Sequence, residues 1–136
     1  MKPSTQLTFD GNCEEAFKYY EKTLGAKITS IMRWGESPMK DRVPKEYGNR
    51  VIHGTINIAG MDVGGGDAPP QMYRKPQGMM VGLDPQRPEE AERVFAALSD
   101  GGLVTMKLEE TFWAKRFGMC VDRFGIPWMI NCGKQP

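Results

Sequence analysis

The sequence predicts an α+β fold: two βαβββ modules forming a curved, mostly antiparallel sheet with the helices on its convex side. Three observations carry this expectation. The order strand, helix, three strands is written twice in 136 residues. The halves echo each other, because Glu14-Glu15-Ala16 recurs as Glu89-Glu90-Ala91 and Tyr20 is matched by Phe95. The chain closes on a hairpin, residues 111–132, whose turn Asp122-Arg123-Phe124-Gly125 has the chemistry of a type I turn with a bulge. A single such module leaves one sheet face bare. Pairing two modules covers it and opens a cavity on the concave side.

In the first module, Gln6–Phe9 reads as a strand. Asp10-Gly11-Asn12 is a turn, and Asn12 with Glu15 forms a capping box. Cys13, Ala16, Phe17, Tyr20 and Leu24 make one apolar face at helical spacing, and Gly25 ends the helix. Ala26–Trp34 is a strand, followed by a loop over 35–49 that contains Pro38 and Pro44. Residues 50–58 alternate. Ile52, Ile56 and Ile58 fall on a buried face; His53, Thr55 and Asn57 fall on the open one. Ala59-Gly60 turns the chain into the strand Met61–Gly66, which closes a module of about 1–67.

A proline-rich connector spans 67–77, and the second module takes 78–136. It opens with the strand Gly78–Leu83. Pro88 suits a first helical position, Glu89 and Glu90 complement the helix dipole, and Ala91, Val94, Phe95 and Leu98 make the apolar face. Gly101 and Gly102 stop the helix before the strand Leu103–Leu108. In the last hairpin the turn pairs Cys120 with about residue 128, so Cys120 and Cys132 do not face each other.

Composition excludes several classes. With 18 basic and 17 acidic side chains, nothing steers the chain to nucleic acid or a membrane surface. No apolar run approaches the ~20 residues that cross a bilayer. The start, MKPSTQLTF, lacks a signal-peptide core, and three cysteines without metal spacing read as reduced, packed thiols. The expected compartment is the cytoplasm.

FDGNCEEAFKYYEKTLGAKI, VIHGTINIAGMDV and TFWAKRFGMCVDRFGIPWMINC resemble the vicinal oxygen chelate superfamily, the glyoxalase and bleomycin-resistance fold. GNCEEAFKYY and FGIPWMIN are closest to its PhnB-like branch, which often carries a demethylubiquinone methyltransferase-like domain name. The resemblance implies paired βαβββ modules and a homodimer. It also implies four metal-ligand places, one on the first and one on the last strand of each module. They fall at about Thr5, Gly64, Gly78 and Met129, and none is His or Glu. A catalytic divalent ion normally takes about three N, O or S donors. The reading therefore includes no metal and no cofactor.

His53, the single histidine, stands on the open strand face. As an imidazole it suits general acid or base work, or it simply lines the cavity. Strand alternation puts Met80, Met119, Met129 and Asn131 on the cavity side, and ten methionines suit an adaptable wall. Trp128 shares the core side with Ile130, while Trp113 is open to either role. Asp62, Asp67 and Asp122 are turn-associated, and Glu109 and Glu110 are solvated strand ends. Gly64-Gly65-Gly66 lacks the Gly-Lys-Ser/Thr of a phosphate loop and reads as close backbone approach.

The functional expectation is a metal-independent binding protein for an apolar or aromatic small molecule, with Leu7, His53, Thr55, Met80, Trp113, Met119, Met129 and Asn131 at the ligand. The alternative is a lyase, isomerase or dioxygenase on a small oxygenated substrate, with His53 as base or an atypical metal site.

Overall fold

Apolar spacing and turn chemistry produce the same element order in each half of the computed structural model, which describes residues 1–134. The first compact unit is Met1–Lys75; the second begins at Pro76. Strands β1 (Thr5–Phe9), β2 (Lys27–Arg33), β3 (Val51–Ile58) and β4 (Met61–Asp67) form a four-stranded sheet in the order β1-β4-β3-β2. Strands β5 (Val81–Leu83), β6 (Leu103–Glu109), β7 (Ala114–Val121) and β8 (Pro127–Gly133) form a second, in the equivalent order β5-β8-β7-β6. In each sheet the outer first strand runs parallel to its neighbour and the other pairs are antiparallel. This is an α+β fold of two βαβββ modules.

In the first unit, helix α1 (Cys13–Leu24) covers one sheet face. Phe17 seats its ring over two glycines that pair in register, Gly54 and Gly65. An added Cβ would meet that ring at 3.2 Å from Gly54 and 2.9 Å from Gly65. Phe9 packs against it edge-on at 6.0 Å. Phe9, Phe17 and Tyr20 are all fully buried, and each contributes about 1.5–3 kcal/mol of burial. Gly25, at φ 67°, ends α1 in the left-handed conformation, and its N–H donates to the Tyr20 carbonyl.

The capping box does not form: the Asn12 side chain makes no capping bond. Asp67, at the end of β4, takes over. Its Oδ1 accepts from the Cys13 N–H and its Oδ2 from the Val51 N–H, both at 2.9 Å. Asp67 is therefore a buried link between three elements rather than a turn residue.

In the second unit, helix α2 (Pro88–Ser99) buries Ala91, Val94, Phe95 and Leu98 against the face carrying Cys120, Trp128, Ile130 and Cys132. Cys120 pairs with Trp128, as the turn length requires. Asp122 is structural: Oδ1 accepts from the N–H groups of Phe124 and Ile126, and Oδ2 accepts from Trp128 Nε1 at 2.8 Å. Strand β5 is shorter than expected, because Gly78 lies at φ 82°, outside the extended region. Residues 34–49 hold three short 3₁₀ turns, at Trp34–Glu36, Lys40–Arg42 and Lys45–Tyr47.

Candidate functional site

The chemistry of the first unit gathers on the sheet face opposite α1. β4 lies between β1 and β3, and its glycines bring no side chains to this face. Gln6 pairs with Gly64, which pairs with Thr55; Thr8 pairs with Gly66. Extending the antiparallel register one step brings His53 beside Gly66. The result is a trough whose floor is bare peptide at Gly66 and peptide covered by the Gln6 amide at Gly64. Gln6 and Thr8 stand on one bank; His53 and Thr55 stand on the other. Two strand spacings make it about 10 Å across. Trp34, Met39, Ile52 and Pro69 join this face in an open hollow of about 360 Å³.

Each glycine has its own reason. An added Cβ on Gly64 would fall 2.3 Å from Gln6 Oε1, so the Gln6 amide occupies that space. On Gly65 it would meet Phe17 from below, and on Gly66 it would meet the Ile52 carbonyl oxygen at 2.5 Å. Close approach is confirmed: another backbone crowds Gly66 most tightly, and the Leu7 carbonyl oxygen also crowds Gly65, at 3.2 Å. Trp34 is fixed by its indole N–H, which donates to the Asp67 carbonyl at 3.0 Å.

Two expected placements are corrected. Leu7 borders the hollow, but its register with Gly65 turns its side chain toward α1, and it is 8% exposed. Ile52 leaves the buried face. The register steps from Met32–His53 to Arg33–Val51, so β3 carries an extra residue against β2. This bulge sends Val51 inward, fully buried, and Ile52 to the open face. His53 and Thr55 stand where alternation puts them. Sequence reasoning missed Gln6, Thr8, Trp34, Met39 and Ile52 as lining residues. The burial of Leu7 and Phe9 was the signal for Gln6 and Thr8, since it leaves the even positions of β1 on the other face.

In the second unit, the face opposite α2 carries a row of methionines. Met106, Met119 and Met129 stand in direct register across β6, β7 and β8. Gly82 pairs with Met129, which sets Met80 in phase on the same side. Asn131 pairs with Phe117. Trp113 is 44% exposed and packs edge-on to Phe117 at 5.2 Å. A hollow of about 200 Å³ lies beside Met79, Met80, Met119 and Pro127.

The metal-ligand places shift with the observed register. Opposite Gly64 stands Gln6 rather than Thr5, and opposite Met129 stands Gly82 rather than Gly78. The first pair offers one amide and the second one soft thioether, which does not fit a hard or borderline divalent ion. Among the described residues no three of His, Cys, Asp and Glu group as a metal requires. The thiols are poor nucleophiles as well. Burial pushes Cys13 far above the ordinary thiol range, helped by the charges of Asp67 and Glu14. Burial also raises Cys120, against a hydrogen bond with Ser99 that lowers it and the Asp122 charge that adds to the rise.

Residues 1–131 match the family described as 3-demethylubiquinone-9 3-methyltransferase. The chain belongs to this family. Protein YjdN of Escherichia coli K12 is 38% identical, over 99% of this chain and 97% of its own. The crystal structure of PA1353 from Pseudomonas aeruginosa has TM-score 0.88 at 35% identity, covering 99% of both chains. A PhnB protein from Bacillus cereus, described under the same methyltransferase name, has TM-score 0.80 at 25% identity over 98% of this chain and 100% of its own. A glyoxylase/bleomycin resistance protein/dioxygenase domain from Frankia sp. EAN1pec shares the fold alone, at TM-score 0.67 and 11% identity over 98% of both chains. The chain is thus similar to a PhnB protein in sequence and fold, and it shares its fold with that glyoxylase/bleomycin resistance protein/dioxygenase domain. No helix among the described residues is long and apolar enough to cross a membrane.

Proposed function

We propose that this PhnB-like chain binds an apolar or aromatic small molecule without using a metal ion. The observation that carries the reading is the trough of the first unit. The peptide floor, open at Gly66 and covered at Gly64 only by the flexible Gln6 amide, admits a flat molecule close to the backbone. Polar groups on both banks orient it, and Trp34, Ile52 and Met39 supply apolar contact. The methionine face of the second unit is adaptable apolar surface of the same kind. Leu7 contributes to the trough by fixing β1. The donor sets support metal independence, since neither strand pair offers more than one ligand atom. The reading includes no cofactor, a homodimer as the working form, and the cytoplasm as its location, where buried free thiols stay reduced.

The test is ligand binding before and after exhaustive chelation, with metal analysis of the purified protein. Unchanged affinity and no stoichiometric metal are expected. A tight metal at one per chain overturns the reading.

A second reading follows from His53. Its ring lines the hollow opposite Thr8, a place where a base would reach a bound substrate's proton. A lyase, isomerase or dioxygenase acting on a small oxygenated substrate would use it so. His53→Ala separates the two: ligand affinity stays within about twofold if the ring is wall, and turnover disappears if it is the base.

A further inference from the structure

On the open face of the second sheet one polar atom stands unsatisfied. Asn131 Oδ1 is sealed from solvent and has no hydrogen-bond partner among the described residues. Its neighbours on β7 and β8 are apolar, and Glu109 stands beyond Phe117 on β6. Phe117 stands directly opposite it, Met129 precedes it on the same face, and Met119 and Met106 continue the row. A buried acceptor left unpaired is costly, and a leucine would fill the position without that cost.

We propose that Asn131 Oδ1 anchors a ligand: a planar aromatic molecule carrying a hydrogen-bond donor, such as a phenol or an arylamine. Its donor bonds Oδ1 while its ring lies along the thioethers of Met119 and Met129. This rests on the small-molecule reading above and names the ligand class of the second unit's face. Three methionines in register make a strip about 10 Å long, the length of a bicyclic aromatic. Sulfur favours ring edges and faces over saturated carbon. Gly82 makes room: a Cβ there would sit 3.3 Å from the Met129 methyl, so that side chain reaches over β5. The Phe117 ring covers the position opposite Asn131 and leans on Trp113, itself partly exposed. Engagement of the donor requires the Phe117 side chain to give way. A site with a buried acceptor rejects an analogue that cannot donate, because binding then leaves the acceptor unpaired.

The probes are 1-naphthol and 1-methoxynaphthalene, titrated against the full chain with tryptophan fluorescence and calorimetry as readouts. We expect 1-naphthol to bind at least tenfold more tightly. Asn131→Leu should bring 1-naphthol down to the affinity of the ether, leave the ether unchanged, and keep or raise thermal stability. Met119→Leu with Met129→Leu should weaken 1-naphthol severalfold while leaving decahydro-1-naphthol unaffected. Equal binding of the two probes by the unsubstituted chain overturns this inference and leaves the binding reading standing. Binding of neither overturns both. An Asn131→Leu chain that loses stability also overturns the inference, because the amide is then engaged within the fold.

Discussion

Asp67 Oδ1 accepts a hydrogen bond from the backbone N–H of Cys13 at 2.9 Å, so the last residue of β4 closes the N-terminus of α1 from the far end of the module. The other oxygen holds the Val51 N–H at 2.9 Å, and the Asp67 carbonyl holds the Trp34 indole. Removal of the carboxylate leaves two buried donors unpaired. Asp67→Asn should lower unfolding free energy by about 1–3 kcal/mol, and Asp67→Ala by more. Urea titration followed by circular dichroism measures this. A loss under about 0.5 kcal/mol for the alanine variant would contradict the assigned role.

The trough floor predicts an asymmetry between two glycines two residues apart. Gly66→Ala drives a methyl into the Ile52 carbonyl oxygen, which belongs to the rigid β3 backbone. The cost should be about 1–3 kcal/mol. Gly64→Ala meets only the flexible Gln6 amide, so stability should change by less than about 0.5 kcal/mol. That variant should instead expel the amide from the trough and alter ligand affinity. Thermal unfolding of both variants is the check.

Acid sensitivity follows from Glu14. Its bond with the Arg33 guanidinium, aided by the charges of Arg33 and Lys18, holds its pKa below the ordinary 4.5. A carboxylate depressed in the folded state stabilises at and above pH 4.5, and the contribution fades as pH falls through the lower folded value. The pair is partly exposed, so its worth at neutral pH is about 0.2–1 kcal/mol. Unfolding curves of the native chain and of Glu14→Gln should differ by that amount at pH 7 and converge in acid. A gap that persists below the folded value would rule the pair out as the cause.

Cys13, Cys120 and Cys132 are buried and free. Burial keeps the Cys13 and Cys120 thiols protonated. In native buffer a disulfide reagent such as dithionitrobenzoate should therefore label none of the three over minutes. In guanidinium it should label all three. Rapid native labelling would place a thiol at the surface.

The element order was legible because each boundary carries local chemistry. Gly25 stops α1, Pro88 starts α2, and the turn Asp122 to Gly125 sets the pairing of Cys120 with Trp128. The methionine face was legible for the same reason, since the turn fixes the phase of β7 and β8 and places Met119 opposite Met129. What escaped sequence reasoning was non-local. Asn12 and Glu15 have the spacing of a cap, yet Asp67 does the capping across the module. The run alternates from Ile52 to Ile58, and the adjacent apolar pair Val51-Ile52 is the one local sign of the bulge that moves Ile52 to the open face. Leu7 was misplaced because a short strand offers two equally plausible phases. Only its packing against α1 chooses between them.

The trough divides into parts that respond differently to genetic change. Its floor is main chain, and at Gly66 the Ile52 carbonyl oxygen forbids any larger residue. Selectivity can therefore drift most freely through the banks, at Gln6, Thr8, His53 and Thr55. Directed evolution of new binding preferences should concentrate its libraries there, where diversification leaves the supporting architecture untouched.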